Sequence, residues 1–387
     1  MYKFEDLIEE VKEFNTDLRY GLDDIVGVTI EKGLIPTIAN LTQTALDKFY
    51  IIKPETFVYN PRTHGVRLGM GYNDTCNTYI TTWNNVAFRV KDTAKNIVIP
   101  QYLWLYFCRP IWDRLTNFLA WGSSTIVFAW KDFLTIEIDL PSITRQREIV
   151  AEYETLTRRI RINEQMIQNL ESTAQTLYRK MFVDGIDKEN LPKGWRMGTL
   201  GEVCSKIGSG STPKGGKGSY EKSGVSLVRS MNVFDFRFSY DELAHISDIQ
   251  AAALDSVTIK EKDILFNITG ASVARCCMVP NNVLPARVNQ HVMIIRPEKD
   301  FMSYYLLCTL CSDKAKRSLL GMSQSGSTRE AITKSEIESF KIVIPATELL
   351  KNYDNQAEII FAHIDIHKQE NSKLIELQSL LLAKMGQ

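Results

Sequence analysis

The side chains of this sequence that could do chemistry are cations and amides set in loops of small residues. Between Val203 and Phe234 stand Lys206, Lys214, Lys217, Lys222 and Arg229 against a single acid, Glu221. From Ile264 to Arg296 there are Arg275, Arg287 and Arg296, with no Asp or Glu. From Tyr59 to Lys91, the cations Arg62, Arg67, Arg89 and Lys91 face only Asp74. The residues around them are Gly, Ser, Thr and Asn, as in GSGSTPKGGKGS (208–219). That combination suits double-stranded DNA. Lys and Arg neutralise phosphates, and backbone N–H groups and small hydroxyls bond phosphate oxygens. Arg, Asn, Gln and His reaching out of such loops can read base edges in the major groove. The candidate DNA contacts are Arg62, Thr63, His64 and Arg67 in the first half of the chain. In the second half they are Ser211, Thr212, Lys214, Lys217, Arg229, Asn232, Arg275, Asn289, Gln290, His291 and Arg329. A bland reading stands beside each of them, because a basic Gly/Ser loop is ordinarily only a solvated loop. Asn289-Gln290-His291, just ahead of a strand-like run, fits loop capping equally well, and Asn60 and Asn267 fit turn closure.

Catalytic signatures are missing. The nearest approach to a nucleotide-binding P-loop, Gly210 to Gly218, has one residue too many and places Gly where a Mg²⁺-ligating hydroxyl is needed. No G-x-G-x-x-G opens a βαβ unit, so no dinucleotide or S-adenosylmethionine site is expected. There is no H-E-x-x-H, no G-x-S-x-G and no zinc-finger spacing. The five histidines, at 64, 245, 291, 363 and 367, are scattered. The seven cysteines are odd in number and irregularly spaced, which favours reduced thiols over a disulfide framework. Cys308 and Cys311 form a CxxC inside the apolar run YYLLCTLC, where they share a helix face and read as buried core thiols. The expectation is therefore no catalytic residue, no metal and no cofactor in this chain.

The elements that must position the loops follow from a repeat. The chain has 387 residues, 46 Lys+Arg against 46 Asp+Glu, and is 44% hydrophobic and 24% charged. That is enough for two or three domains and excludes a disordered chain. Its greasiest run, Tyr102 to Trp112, carries Arg109 and Pro110 and falls well short of the roughly 20 apolar residues of a membrane span. The acidic, amphipathic N-terminus is neither a signal nor a transit peptide, and a cytoplasmic protein is expected. Residues 141–181 align with 345–385 without a gap, matching Pro141 to Pro345, Ile160 to Ile364, Leu170 to Leu374 and Met181 to Met385. Upstream, TIEIDLP (135–141) lies over SFKIVIP (339–345), FVYN (57–60) over ILFN (264–267) and VAFRV (86–90) over MIIRP (293–297). The chain thus reads as two copies of a mixed α/β globule, each followed by a long helix, in the α+β class. The expected boundaries are 1–140 for a first globule with a short start, 141–184 for its helix, 185–345 for the second globule and 346–387 for the second helix.

Both helices carry an apolar stripe in steps of 4 and 3, the 3.5-residue repeat of a coiled-coil seam. In the first it runs Ile149, Tyr153, Leu156, Ile160, Asn163, Ile167, Leu170, Ala174, Leu177, Met181. In the second it runs Tyr353, Ala357, Ile360, Ile364, His367, Asn371, Leu374, Gln378, Leu381, Met385. The two stripes can bury each other, and the pair should run antiparallel if the two globules sit at opposite ends. Asn163, His367, Asn371 and Gln378 then place polar groups in the seam, where they fix register at some cost in stability.

Two such globule-and-helix copies without a catalytic signature resemble the specificity subunit of type I restriction–modification systems. LPKGW (191–195) with TLGEVCSKIGSGSTP (199–213) resembles the opening of a target recognition domain, and GSTREAITKSEIESFKIVIP (326–345) its closing segment. LPSITRQREIVAEYETLTRRI (140–160) resembles the start of the central conserved helix. The first half departs from the pattern, because it lacks an LPxGW-like opening. The resemblance implies that each recognition domain reads one half of a split DNA sequence. The helices would set the spacer, spanning about 50 Å between Ile149 and Met181 at 1.5 Å per residue. It further implies partners: two modification subunits carrying S-adenosylmethionine, with restriction (motor-nuclease) subunits able to join. Two other readings stand against it. A stand-alone DNA methyltransferase needs a cofactor loop and an Asn/Asp-Pro-Pro-Tyr/Phe element, whereas Asn60-Pro61 continues Arg-Thr. A coiled-coil scaffold would bind no duplex DNA at low salt.

Overall fold

The computed structural model describes residues 1–37, 44–63, 67–122, 126–213, 215–324 and 331–385. They fall into two units, Met1–Ile162 with Glu370–Gln387 and Asn163–Gln369.

The first unit is built on short apolar strands, too short to persist alone, which pair into one antiparallel sheet. Its order is Ile8–Glu10, Val86–Val90, Phe57–Tyr59, Met70–Tyr72. Register places Phe57 against both Phe88 and Tyr72, so aromatic rings stack across one face. Helices Pro100–Phe107 and Pro110–Leu119 cover that face, each opened by a proline where the missing N–H costs nothing. Phe4, Phe107, Trp112, Phe128 and Phe133 complete a core of edge-to-face rings, such as Phe4 and Phe133 with centroids 5.0 Å apart.

The second unit has a four-stranded antiparallel sheet ordered Cys204–Ser209, Val292–Pro297, Ile264–Asn267, Cys276–Met278. A second sheet, Ala244–Ile246, Val225–Val228, Ala286–Val288, contains one parallel pair. Its core is mainly aliphatic, with Leu200, Ile264, Ile295, Leu306, Leu307 and Cys308 fully buried. All of helix Ser303–Cys311 except Tyr304 and Cys311 is buried. Cys308 is thus the core thiol its apolar setting predicts, whereas Cys311, at the helix end, is half-exposed.

The two units repeat one topology. Phe57 pairs with Phe88, Val58 with Ala87 and Tyr59 with Val86; Ile264 pairs with Ile295, Leu265 with Ile294 and Phe266 with Met293. Both strands of each pair are displaced by the same 207 positions, so the FVYN/ILFN and VAFRV/MIIRP likenesses are correct in register as well as in composition. The parallel contact recurs too, as Ile25 beside Ile80 and Leu227 beside Arg287. The abbreviated start of the first half is less of a departure than its sequence suggests. Strand Tyr2–Lys3, helix Phe4–Leu7 and strand Ile8–Glu10 match Arg196–Thr199, Leu200–Val203 and Cys204–Ser209. Each opening strand pairs antiparallel with its unit's closing strand, Glu137–Ile138 or Lys341–Ile344. That pairing is made by backbone groups, which is why no LPxGW-like motif is required for it.

Two long helices, Ile143–Phe182 and Thr347–Lys384, run through both units. Ser142 Oγ accepts the Arg145 N–H at 3.3 Å and so caps the first helix's start. Gly185, at φ +74°, ends the first helix in the left-handed conformation glycine tolerates. Within the first unit, Arg159 makes a bidentate pair with Glu370 (2.8 and 3.1 Å), and Gln378 Nε2 donates to Thr157 Oγ1 at 2.7 Å. Asn371 Nδ2 reaches Ile160 O at 3.5 Å. Within the second unit, Glu171 lies 4.0 Å from Lys368, and the Phe182 and Tyr353 rings meet at 5.1 Å. Both sets run in opposite chain directions, so the helices pair antiparallel. Every expected seam position from Ile149 to Met181 and from Tyr353 to Met385 is buried or half-buried. Asn163 is fully buried there. The units nevertheless divide inside the helices, at 162/163 and 369/370, rather than at the helix ends. Each globule packs against its own half of both helices, with Ile149 and Leu382 in the first core and Ala174 and Ala357 in the second.

Candidate nucleic-acid interface

In the second unit three loops converge at one surface. Gly210 N donates to Asn289 O at 3.1 Å. A Cβ on Gly210 would lie 1.8 Å from the Val288 carbonyl oxygen, so only glycine lets the 208–213 loop approach so closely. Beyond it, Ser211 and Thr212 are exposed. Thr212 Oγ1 donates to Gln290 Oε1. Gln290 Nε2 lies 3.1 Å from His291 Nε2, and His291 Nδ1 lies 2.7 Å from Thr269 Oγ1. With Nε2 accepting from the amide, Nδ1 carries the proton and donates to Thr269. The result is a chain of four side chains from three loops, with its Gln290 and Thr212 members at the surface. Gly210→Ala is expected to force the loops apart and cost about 1–3 kcal/mol by overpacking, measured by thermal unfolding against the unsubstituted chain. An unchanged melting temperature would show that the loop does not need this approach.

Several candidates have other work. Asn232 is fully buried, donates to Ser239 O (3.0 Å) and Asp241 O (3.1 Å) and accepts the Arg229 N–H (3.1 Å), so it closes a loop and cannot reach a base. Asn289 is buried, and its Oδ1 accepts the His291 N–H at 3.0 Å. It shapes the loop that presents Gln290. Arg229 is largely covered, bonded to Glu242 O and stacked 5.6 Å from the Tyr220 ring centroid. Arg275 is half-buried, over Phe234 at 5.1 Å. Asn267 donates to Ser230 O and Val233 O, and Asn60 Oδ1 accepts the Arg62 N–H at 3.0 Å, so both close turns. Lys217 sits on the turn Gly216–Ser219. His64, Lys214 and Arg329 lie outside the described residues.

The basic excess read from sequence windows is also smaller in space. Arg287 is buried against Ala251 O and Asp255, and Arg296 forms two 2.7 Å bonds with Asp263. Arg89 pairs with Glu9 at 2.8 Å. The acids lie outside the windows in which the cations were counted.

In the first unit Arg62 and Arg67 are exposed, while Thr63 is buried at 2% and cannot serve as a contact. Arg62 lines an open cavity of about 270 Å³ with Thr37, Asn60, Thr82, Asn84 and Asn85. Asn85 Nδ2 donates to Thr81 Oγ1 at 2.8 Å, which fixes the loop before strand Val86–Val90. Beside it Trp83 is 48% exposed. Thr82, Trp83 and Asn84 escaped the sequence reading. The 207-residue displacement could have found them, because it sets Trp83 over Gln290, Asn84 over His291 and Arg62 over Thr269. Each unit therefore presents polar side chains from the same two loops, one after strand Phe57–Tyr59 or Ile264–Asn267 and one before strand Val86–Val90 or Val292–Pro297.

Residues 192–377 match the model of the type I restriction modification DNA specificity domain. The chain is 23% identical over 338 residues to the type I restriction enzyme MjaIX specificity subunit of Methanocaldococcus jannaschii, covering 82% of this chain and 75% of that protein. It is 19% identical over 382 residues to the HindI specificity subunit of Haemophilus influenzae, covering 81% of each. Among solved structures, the type I restriction-modification S subunit from M. genitalium shares the fold with a TM-score of 0.60 at 14% identity, over 100% of this chain and 95% of that one.

Proposed function

We propose that this chain, which belongs to the specificity-subunit family of type I restriction–modification systems, reads a bipartite sequence in double-stranded DNA, one half with each unit. The observation that carries the reading is the repeated register. Two units with the same sheet order place different side chains at equivalent loop positions, Arg62 and Asn84 in one and Thr269, Gln290 and His291 in the other. One scaffold presenting two different polar sets suits an asymmetric target of two unlike half-sites. Thr212 and Gln290 in the second unit, and Arg62 and Asn84 in the first, are the side chains we assign to base edges.

The chain itself is non-catalytic in this reading. Methylation belongs to two modification subunits, which bring S-adenosylmethionine, and cleavage to restriction subunits that join them in the cytoplasm. The paired helices set the spacer and hold the modification subunits. The second helix supports this, because its Ile359, Ile366, Ile375, Leu377 and Leu380 are each more than half exposed, an apolar display that a solvated helix does not need. Among the described residues no helix is long and apolar enough to cross a membrane.

Duplex binding as a function of salt tests the reading. Lys214→Ala with Lys217→Ala should weaken binding to all sequences and flatten the slope of log K against log salt by up to about 2, from two lost phosphate contacts. An unchanged slope removes those lysines from the interface, and no duplex binding at low salt, with or without modification subunits, rejects the function.

A further inference from the structure

Away from the polar loops, three side chains from separate elements of the second unit converge. Cys276 lies on strand Cys276–Met278, Cys311 ends helix Ser303–Cys311, and Asp235 occupies the turn between Val233–Phe234 and Arg237–Phe238. The Cys276 and Cys311 sulfurs are 3.3 Å apart, and Cys311 Sγ is 3.9 Å from Asp235 Oδ1. One donor atom from each residue lies within 4.8 Å of the other two, the one such group of His, Cys, Asp and Glu among the described residues.

We propose that Cys276, Cys311 and Asp235 form a binding site for a thiophilic divalent cation of the zinc class. Donor chemistry and distance both favour it. Two thiolates and a carboxylate match the ligands such ions take, at about 2.3 Å for sulfur and 2.0–2.2 Å for oxygen. Tetrahedral bonds of that length hold two sulfurs roughly 3.7–3.8 Å apart. The pair need only part by about half an ångström to accept an ion, whereas a disulfide, at about 2.05 Å, requires an approach of more than an ångström.

The surroundings are those of an outer shell. Asp235 Oδ1 accepts the Cys276 N–H at 3.1 Å and the Lys316 ammonium at 2.5 Å, which orients the carboxylate. Three anionic ligands on a doubly charged ion leave one negative charge, and Lys316, mostly buried beside them, neutralises it. Cys311 is half-buried and Asp235 exposed, so an ion reaches the three ligands from the carboxylate side. Phe236 N donates to Cys276 O at 3.0 Å, and Lys368 Nζ on the second long helix donates to Phe236 O at 3.0 Å. An ion here would therefore staple a hairpin, a sheet edge and a helix end beside the long helix. Binding releases the thiol protons, so it weakens as pH falls.

The test uses the full chain, reduced and freed of metal, titrated with Co²⁺ under anaerobic conditions. One ion per chain is expected, with a thiolate-to-cobalt charge-transfer band that Zn²⁺ displaces, and a melting temperature raised by either metal. Cys276→Ser and Cys311→Ser should each abolish the band, and Lys316→Met should weaken binding by about 10–100-fold while leaving the band in place. Should Cys276→Ser fail to fold, Cys311→Ser, at a half-exposed helix end, decides alone. A band that survives Cys311→Ser, or no band in the unsubstituted chain, overturns the site. So does a chain that binds no cobalt but yields a Cys276–Cys311 cross-linked peptide on mild oxidation, which would make the pair a redox disulfide instead.

Discussion

Removing one heptad from each long helix at matched heights, residues 157–163 and 368–374, is expected to shorten the spacer of the methylated target while leaving both half-site sequences intact. The segments face each other, since Arg159 pairs with Glu370 and Ile160 O meets Asn371. Seven residues are two turns of a 3.5-residue repeat, so the seam stays in phase and the stripes still bury each other. The rods lose about 10 Å at 1.5 Å per residue, the rise of about three base pairs. Three base pairs also rotate the duplex by roughly a third of a turn, so about three is the upper bound of the change. Sequencing of modified positions in cells carrying the altered chain with its modification subunits reads the result. A folded variant that keeps the original spacer, or alters a half-site, contradicts the role of the helices as a ruler.

Arg296→Ala is expected to cost the second unit about 3–5 kcal/mol, because it strands a buried carboxylate. Asp263 is fully buried and is held by two 2.7 Å bonds from Arg296 and one from Lys260 N at 2.7 Å. The register supplies an internal control. Arg89 stands at the equivalent strand position of the first unit, but its partner Glu9 is solvent-accessible, with side-chain exposures of 52% and 39%. Arg89→Ala should cost no more than about 1 kcal/mol. Denaturant unfolding of the two variants separates the cases, and equal losses would mean that burial does not set the worth of these pairs. A double replacement, Arg296→Met with Asp263→Leu, should recover most of the loss, since it removes both buried charges together.

The helices and the duplication were legible in the sequence because both are written in local, repeated signals. A stripe from Ile149 to Met181 needs only its own spacing to be seen, and a gapless match of 141–181 to 345–385 needs only comparison of the chain with itself. The exposure of the candidate residues was legible in part. Gln290, Thr212 and Arg62 are exposed where small-residue loops placed them. Asn232, Asn289 and Thr63 are buried, because an amide or hydroxyl in a loop is as useful for closing backbone turns as for reaching outward. Window counts of charge overstate the basic excess for a physical reason. Arg287 and Arg296 are matched by Asp255 and Asp263, and Arg89 by Glu9, pairings that depend on strand register and not on neighbours in sequence. The same holds for Cys311, whose partner is Cys276 across the fold and not Cys308 on its own helix.

Assigning one half of the target to each unit is tested most directly by mapping methylated sequences in cells that carry the modification subunits with the unsubstituted chain, Arg62→Ala or Gln290→Ala. The unsubstituted chain should give one asymmetric motif of two short blocks. Arg62→Ala should relax one block and Gln290→Ala the other, each by the roughly 1–3 kcal/mol of a lost base contact, with the spacer unchanged. An uninterrupted motif, or a single substitution that relaxes both blocks, would contradict two independent readers on one repeated scaffold.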